Sequence, residues 1–314
     1  MPLVVSALHR YPVKSMRAED LATAAVEPWG LAGDRRWMVV EAAEGRGGRQ
    51  PGDFVSARTD PALLLVRARL LAEGHGALDL TAGTEAGTGA GTGAASSSIT
   101  VPIPDPVTQV PVEVWGSHLT AAPQPAADAW LSDLLGRPVH LVHLDDPTRR
   151  PADPRYSSPG DRVSFADGYP LLVTTTASLA ALNDALLEHA QGAAEPLAMA
   201  RFRPNLVLTG DEPAWAEDDW RRLRVGDVTF RAVKGCARCV MTTFDPTTGE
   251  RGHEPTRTLA RLRRWDGGVW FGVNLVPDVP APAPGAPAPE IRLGDEVEVL
   301  ERVPAGDGPL RSPA

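Results

Sequence analysis

Lysine is almost absent from this 314-residue chain: Lys14 and Lys234 are the only two among 31 basic residues, the rest being arginines. Cysteine is equally scarce, present only as Cys236 and Cys239. Two cysteines three positions apart exclude a disulfide framework, and a chain this long buries enough core to need none. Positive charge is in deficit: 40 acidic residues against 31 basic ones leave a formal charge of −9. That balance excludes a general nucleic-acid binder, which needs a basic face. No apolar run approaches the roughly 18 residues of a membrane span. The opening MPLVVSALHRYPVKSM has neither a charged leader before its apolar run nor a small-residue cleavage site, so no signal peptide is expected. A cytoplasmic protein without membrane or nucleic-acid partners is the expectation. No GxGxxG or Walker pattern opens a helix, which removes support from dinucleotide and nucleoside-triphosphate readings.

What is present is a succession of short strand-like segments. Residues 1–20 and 34–42 read as strands, with Arg36, Met38 and Val40 on one face at period two. Residues 54–71 hold a short strand, a break at Pro61 and a more apolar strand, and 111–121 is strand-like again. A helix is predicted over 124–135, striped by Ala127, Trp130, Leu131, Leu134 and Leu135 and ended at Gly136. After a strand at 138–143, Pro170–Thr175 reads as a strand, and Thr176 or Ser178 caps a helix carrying Leu179, Leu182 and Leu186. Further strands are predicted at 205–209, 227–234, 238–244, 270–276 and 296–301.

Residues 82–98 (Ala, Gly, Thr, Ser, Glu and nothing apolar in period) read as a flexible loop, and 277–289 as an extended Pro/Ala spacer. The polar Asp/Arg/Pro stretch at 145–161 is the best boundary. It divides the chain into domains 1–150 and 151–302, with a flexible tail at 303–314. Short strands, few helices and no regular strand–helix alternation point to a mainly β fold with some α, of the β-barrel or α+β kind.

The strongest local signal is KGCARCVMTTFDPTTGE, residues 234–250. Four readings are open for its cysteines. A structural zinc site needs four ligands, and the nearest histidine is His253. A thioredoxin-type dithiol starts a helix, whereas β-branched and aromatic residues follow here and the pair reads as opening a strand. The two could be small buried residues without chemistry. In the fourth reading, one thiolate is a soft ligand to a metal held mainly by an organic chelate. Lys234 and Arg238 flank the thiols, and Arg201, Arg203 and Arg231 could join them on folding. Cations beside a thiol favour the thiolate, and would suit an anionic chelate. Asp245 reads as a turn residue ahead of Pro246 and Gly249. Trp37, Trp115, Trp130 and Trp265 read as packing residues.

The segment CARCVMTTFDPTTGE resembles the signature of the MOSC family, the molybdenum-cofactor sulfurase C-terminal domains. RFRPNLVL (201–208), FGVNL (271–275) and LGDEVEVL (293–300) resemble that family's other landmarks in the same order. YPVKSM (11–16), GLAGDRRWMVV (30–40) and SARTDP (56–61) are similar to the β-barrel domain that precedes MOSC. The resemblance implies an N-terminal MOSC-type β-barrel domain followed by a MOSC β-barrel domain. The two-domain arrangement is most similar to the amidoxime-reducing molybdenum proteins.

By that resemblance Cys239 is the molybdenum ligand and the catalytic residue, and the cofactor is molybdenum–molybdopterin. Lys14, Ser15, Arg35, Arg203, Asn205, Ala237 and Arg238 would contact it. Gly168, Tyr169 and Asn274 would line the site. Arginine's planar fork and lysine's compact charge suit a phosphate, and an Asn amide can pair with a pterin edge. The implied activity is reduction of a small N-hydroxylated substrate. With two cysteines no four-cysteine iron–sulfur cluster fits this chain, so a separate haem or iron–sulfur electron-transfer protein and a flavin reductase are expected as partners. The alternative is a non-catalytic cofactor-binding or sulfur-carrier module. Members are also labelled as possible pyridoxal-phosphate binders, for which Lys14 and Lys234 are the candidate Schiff-base lysines.

Overall fold

The computed structural model describes residues 1–45, 47–71, 77–83, 96–192, 194–280 and 287–303. Most of the loop expected at 82–98, the middle of the Pro/Ala spacer and the tail beyond Val303 lie outside those residues.

A nine-stranded sheet forms the larger half of the molecule. Its strands run in the spatial order Val297–Arg302, Trp220–Val225, Val228–Ala237, Gly268–Pro277, Leu171–Thr175, Leu206–Thr209, Val4–Arg10 and Glu19–Asp20, with Arg264–Trp265 attached to Gly268–Pro277. All pairings are antiparallel except that of Leu171–Thr175 with Leu206–Thr209. A parallel pair needs a long crossover, and helix α2 (Thr176–His189) is part of it. Thr175 caps α2, its hydroxyl accepting from the Ser178 amide, while Ser178, Leu182 and Leu186 at four-residue spacing form the buried face.

The smaller half is built on two sheets. One is four-stranded, in the order Trp37–Glu41, Val139–His143, Ser117–Pro123, Val110–Val114; the other pairs Arg67–Leu71, Ala77–Ala82 and Ser97–Pro102. Helix α1 (Asp128–Leu135) covers them and ends on Gly136 in the left-handed region, as its sequence predicts. The third helix, α3 (Thr256–Leu262), is short. The mainly β class with some α therefore holds.

Three local expectations change. The strand predicted over 111–121 is two strands of a hairpin, because Trp115 and Gly116 both adopt positive φ and turn the chain. In residues 34–42 Met38 and Val40 share a face, as expected, but Trp37 and Val39 on the other face enter a second core, so the strand is buried on both sides. The cysteine pair does not open a strand. Cys236 closes the strand Val228–Ala237, and Cys239 precedes a short 3-10 turn, Val240–Thr243. There the Thr242 and Thr243 hydroxyls donate to the carbonyls of Cys239 and Val240, holding a β-branched run in a turn.

Packing crosses the boundary expected near residue 150. Leu3, Val5, Leu8, Ala24, Val26 and Leu31 share a core with Leu171, Val173, Leu206, Phe230 and Leu275. Conversely Phe244, with Val240 and Met241 against it, joins the core of Val39, Leu63, Leu80 and Leu141. The segment after Cys239 is thus pulled into the smaller half while Cys236 stays on the large sheet. The two sulfurs sit at the junction.

Candidate functional site

A cleft enclosing about 880 Å³ of empty space, its mouth included, lies at this junction. Every residue that the resemblance implies at the site lines it: Lys14, Ser15, Arg35, Gly168, Tyr169, Arg203, Asn205, Ala237, Arg238, Cys239 and Asn274. They come from six separated stretches of chain. Ser15, Arg35 and Arg203 have φ of 72°, 47° and 55°. Non-glycine residues rarely hold the left-handed region, and three of them around one cavity mark a backbone bent to aim side chains inward. Two breaks of register between Val228–Ala237 and Gly268–Pro277, at Ala232/Lys234 and Gly235/Ala237, do the same for the cysteine segment.

The lining is cationic. Arg35 donates to Asp34 and to Asn205 Oδ1 (3.0 Å), and its guanidinium stands 4.4 Å from the Tyr11 ring centroid. Arg203 lies 4.3 Å from the same ring and has no carboxylate partner among the described residues. Burial pushes its pKa down to about 10. Lys14 is buried, donating to the Phe165 carbonyl (2.8 Å) and to Asp167 Oδ1 (2.5 Å). Burial lowers its pKa to about 8 against the opposing pull of Asp167. Asp167 in turn accepts from Arg58 at 3.1 Å and from the Trp115 indole N–H at 3.1 Å. Its place in the cleft wall opposes its charge, but Lys14 and Arg58 outweigh that and hold the carboxyl well below the usual range.

Each sulfur meets a guanidinium. Arg58 Nη2 is 3.3 Å from Cys239 Sγ, and Arg238 Nη1 is 2.8 Å from Cys236 Sγ, with Arg238 Nη2 anchored on the Phe202 carbonyl at 2.7 Å. Both thiols are free and partly exposed. Among the described residues no group of three or more His, Cys, Asp or Glu side chains could hold a metal ion.

Asn205 has a different part from the one expected. Its amide donates to the His9 carbonyl and to Asp34, and its oxygen accepts from Arg35 and the Leu172 amide. That uses its capacity in full, so it orients Arg35 and leaves no edge for a ligand. Asn274 donates to the carbonyls of Lys234 and Gly235, which leaves its oxygen uncommitted. Lys234 is outside the cleft lining, its ammonium 4.6 Å from the Tyr156 ring centroid. Asp245 holds its turn by accepting from the Thr247 and Thr248 amides and pairs with Arg201 at 2.7 Å.

Arg58 and Asp167 were missed from sequence. Arg58 lies within SARTDP and Asp167 directly precedes Gly168 and Tyr169, but nothing in their spacing places them beside Cys239. Trp115 is not simply a packing residue: it is half exposed, against Arg58 and Asp167.

Comparison with known proteins agrees with the order of the landmarks. A family model described as the MOSC N-terminal beta barrel domain matches residues 2–138, and one described as the MOSC domain matches residues 160–298. Human "Mitochondrial amidoxime-reducing component 1" is 32% identical over 83% of this chain and 72% of its own length. The Xenopus laevis protein of the same name is 29% identical over 84% and 72%. A Danio rerio "Molybdenum cofactor sulfurase" is 28% identical over 84% of this chain but only 31% of its own length. With both domains matched in order over most of its residues, the chain belongs to the MOSC family, with a MOSC N-terminal beta barrel domain followed by a MOSC domain.

Proposed function

We propose that this protein is a molybdenum-cofactor-dependent oxidoreductase that reduces N-hydroxylated compounds. The observation that carries the reading is Cys239: a free, partly exposed sulfur with a guanidinium on it, in a cleft rich in cations, where Arg203 has no carboxylate partner among the described residues. A single soft ligand in an anion-attracting cleft fits a metal that arrives inside an anionic chelate such as molybdopterin. When bound, that group would supply two-electron oxygen-atom transfer.

The chain's own residues do the rest. Cys239 Sγ would be the protein's ligand, with Arg58 as its positive neighbour. Arg203, and Arg35 held in place by Asp34 and Asn205, present planar donors for the chelate's phosphate. Lys14 and Arg238 add positive charge, Ser15 a hydroxyl and the Asn274 oxygen an acceptor, while Gly168, Tyr169 and Ala237 shape the wall. The net reaction, R–NH–OH + 2 e⁻ + 2 H⁺ → R–NH₂ + H₂O, needs electrons this chain does not store. A separate haem or iron–sulfur protein fed by a flavin reductase would deliver them.

A second reading, a non-catalytic cofactor-binding or sulfur-carrier module, draws on the presence of both cysteines in one cleft. Elemental analysis and paired variants separate the two. Protein loaded in a cofactor-producing host should hold about one molybdenum per chain, as expected of a single ligand site. Cys239→Ala should abolish molybdenum-dependent reduction of an amidoxime, while Cys236→Ala should keep much of it. The reverse pattern would move the ligand to Cys236. A labile sulfur adduct on the protein with little metal would replace the oxidoreductase reading by the second one.

A further inference from the structure

Beside the cleft runs a second cavity on the smaller half, reaching from Arg49 and Asp53 to Leu119. Ser56 and Arg58 line both spaces, so the two share a wall at the guanidinium that touches Cys239. Its lining includes an apolar and aromatic set, Phe54, Trp115, Pro111 and Leu119.

Trp115 is the unusual member. It occupies the first position of the two-residue turn between Val110–Val114 and Ser117–Pro123, with φ of 52°. That position favours Asn, Asp or Gly, and a bulky aromatic there is strained. The strain is not offset by burial, since the residue is 49% exposed. Instead the ring is fixed by its surroundings: the Phe54 centroid at 5.0 Å, the Arg58 guanidinium at 4.5 Å and an indole hydrogen bond to Asp167. A strained, exposed and rigidly held indole at the lip of a reaction cleft is a surface prepared for a flat partner.

The carboxylates of Asp53 and Glu113 also line the cavity, and the latter is partly exposed. Arg49 and Arg58 in the same lining balance their charge, which suits an uncharged body. We infer that this groove, with Trp115 as its specificity-determining residue, receives the planar aromatic body of the substrate and leaves its polar head at Arg58, facing Cys239. The binding half of this inference stands on the groove alone, and the reductive half rests on the proposed function.

Saturation-transfer NMR with benzamidoxime and acetamidoxime, on protein purified without molybdenum, tests the binding half. Benzamidoxime should show transfer to its ring protons in wild type and in Trp115→Phe, which keeps a ring. The transfer should vanish in Trp115→Ala, and acetamidoxime should show none. Absence of any benzamidoxime signal in wild type, or an undiminished signal in Trp115→Ala, would overturn the assignment. With loaded enzyme, Trp115→Ala should lower the benzamidoxime-to-acetamidoxime ratio of kcat/KM about ten-fold through KM, the scale of one lost aromatic contact. An equal fall for both substrates would make Trp115 merely structural. If benzamidoxime binds as stated but the loaded enzyme reduces neither compound, the groove stands and the proposed reaction falls.

Discussion

At the scale of single residues, Arg35 and Arg203 show how two neighbouring cations on one tyrosine ring can have opposite duties. Arg35 is neutralised by Asp34 and braced by Asn205, so removing it strands a buried carboxylate and an amide. Arg35→Ala should cost about 3 kcal/mol in urea unfolding, typical of breaking a buried pair from one side. Arg203 stacks on Tyr11 but has no carboxylate partner among the described residues, so burial makes its charge a liability until an anion arrives. Arg203→Ala should leave stability within about 0.5 kcal/mol of wild type, or raise it, while weakening inorganic phosphate binding by isothermal titration calorimetry. A large stability loss in Arg203→Ala would show that its charge is already compensated within the protein. Arginine content alone cannot separate these two residues, because the distinction is whether a distant carboxylate reaches each one.

Among the elements, α2 carries an electrostatic feature absent from its own sequence. Glu217, fully buried, accepts from the hydroxyls of Thr175 and Ser178 at the start of α2, and its second oxygen has no hydrogen-bond partner. Burial pushes its pKa up to about 7, against the lowering by Ser178. The folded state therefore binds more protons than the unfolded state between about pH 4.5 and 7, and this contribution to stability is lost as pH rises through 7. Glu217→Gln should flatten the fall of Tm between pH 5 and 8 and stabilise the protein at pH 8 by on the order of 2 kcal/mol. Parallel Tm curves for the two proteins would contradict this.

The α2 helix itself was readable because its stripe of Leu179, Leu182 and Leu186 is local, although its cap is Thr175 and not the expected Thr176 or Ser178. The turn after Cys239 was not. Val240, Thr242, Thr243 and Phe244 have strand-forming side chains, but the packing of Val240, Met241 and Phe244 in a core built by residues 13–141 decides the outcome. The Trp115–Gly116 turn likewise lacks the Asn-Gly signal that marks a hairpin.

For the molecule as a whole, the first 31 residues matter more than a boundary near 150 implies. Val4–Arg10 is the neighbour of Leu206–Thr209, and Glu290–Arg292 pairs with Thr23–Glu27. A chain of residues 151–314 alone would bare Leu206–Thr209 as an apolar edge and uncover the side chains that Val5, Leu8, Val26 and Leu31 bury. It should aggregate and show no cooperative transition by calorimetry. A sharp two-state transition would show that the second half folds without that support. The same interleaving holds the site together, because Lys14, Ser15, Arg35 and Arg58 come from one end of the chain and Cys236 and Cys239 from the other.

The sequence by itself determined the mainly β class, the two longer helices, the order of the MOSC landmarks and the residue types that line the cleft. These depend on periodicity, caps and motifs a few residues long, whose physics is local. Only the tertiary structure decided that Arg58 reaches Cys239, that Asn205 supports Arg35, that Trp115 packs on Arg58 and Asp167 of the cleft wall, and that both ends of the chain share one core. Those facts depend on through-space distances between residues as far apart in sequence as Leu3 and Val297. Such distances follow from how the sheets close over their cores, and no local pattern encodes them.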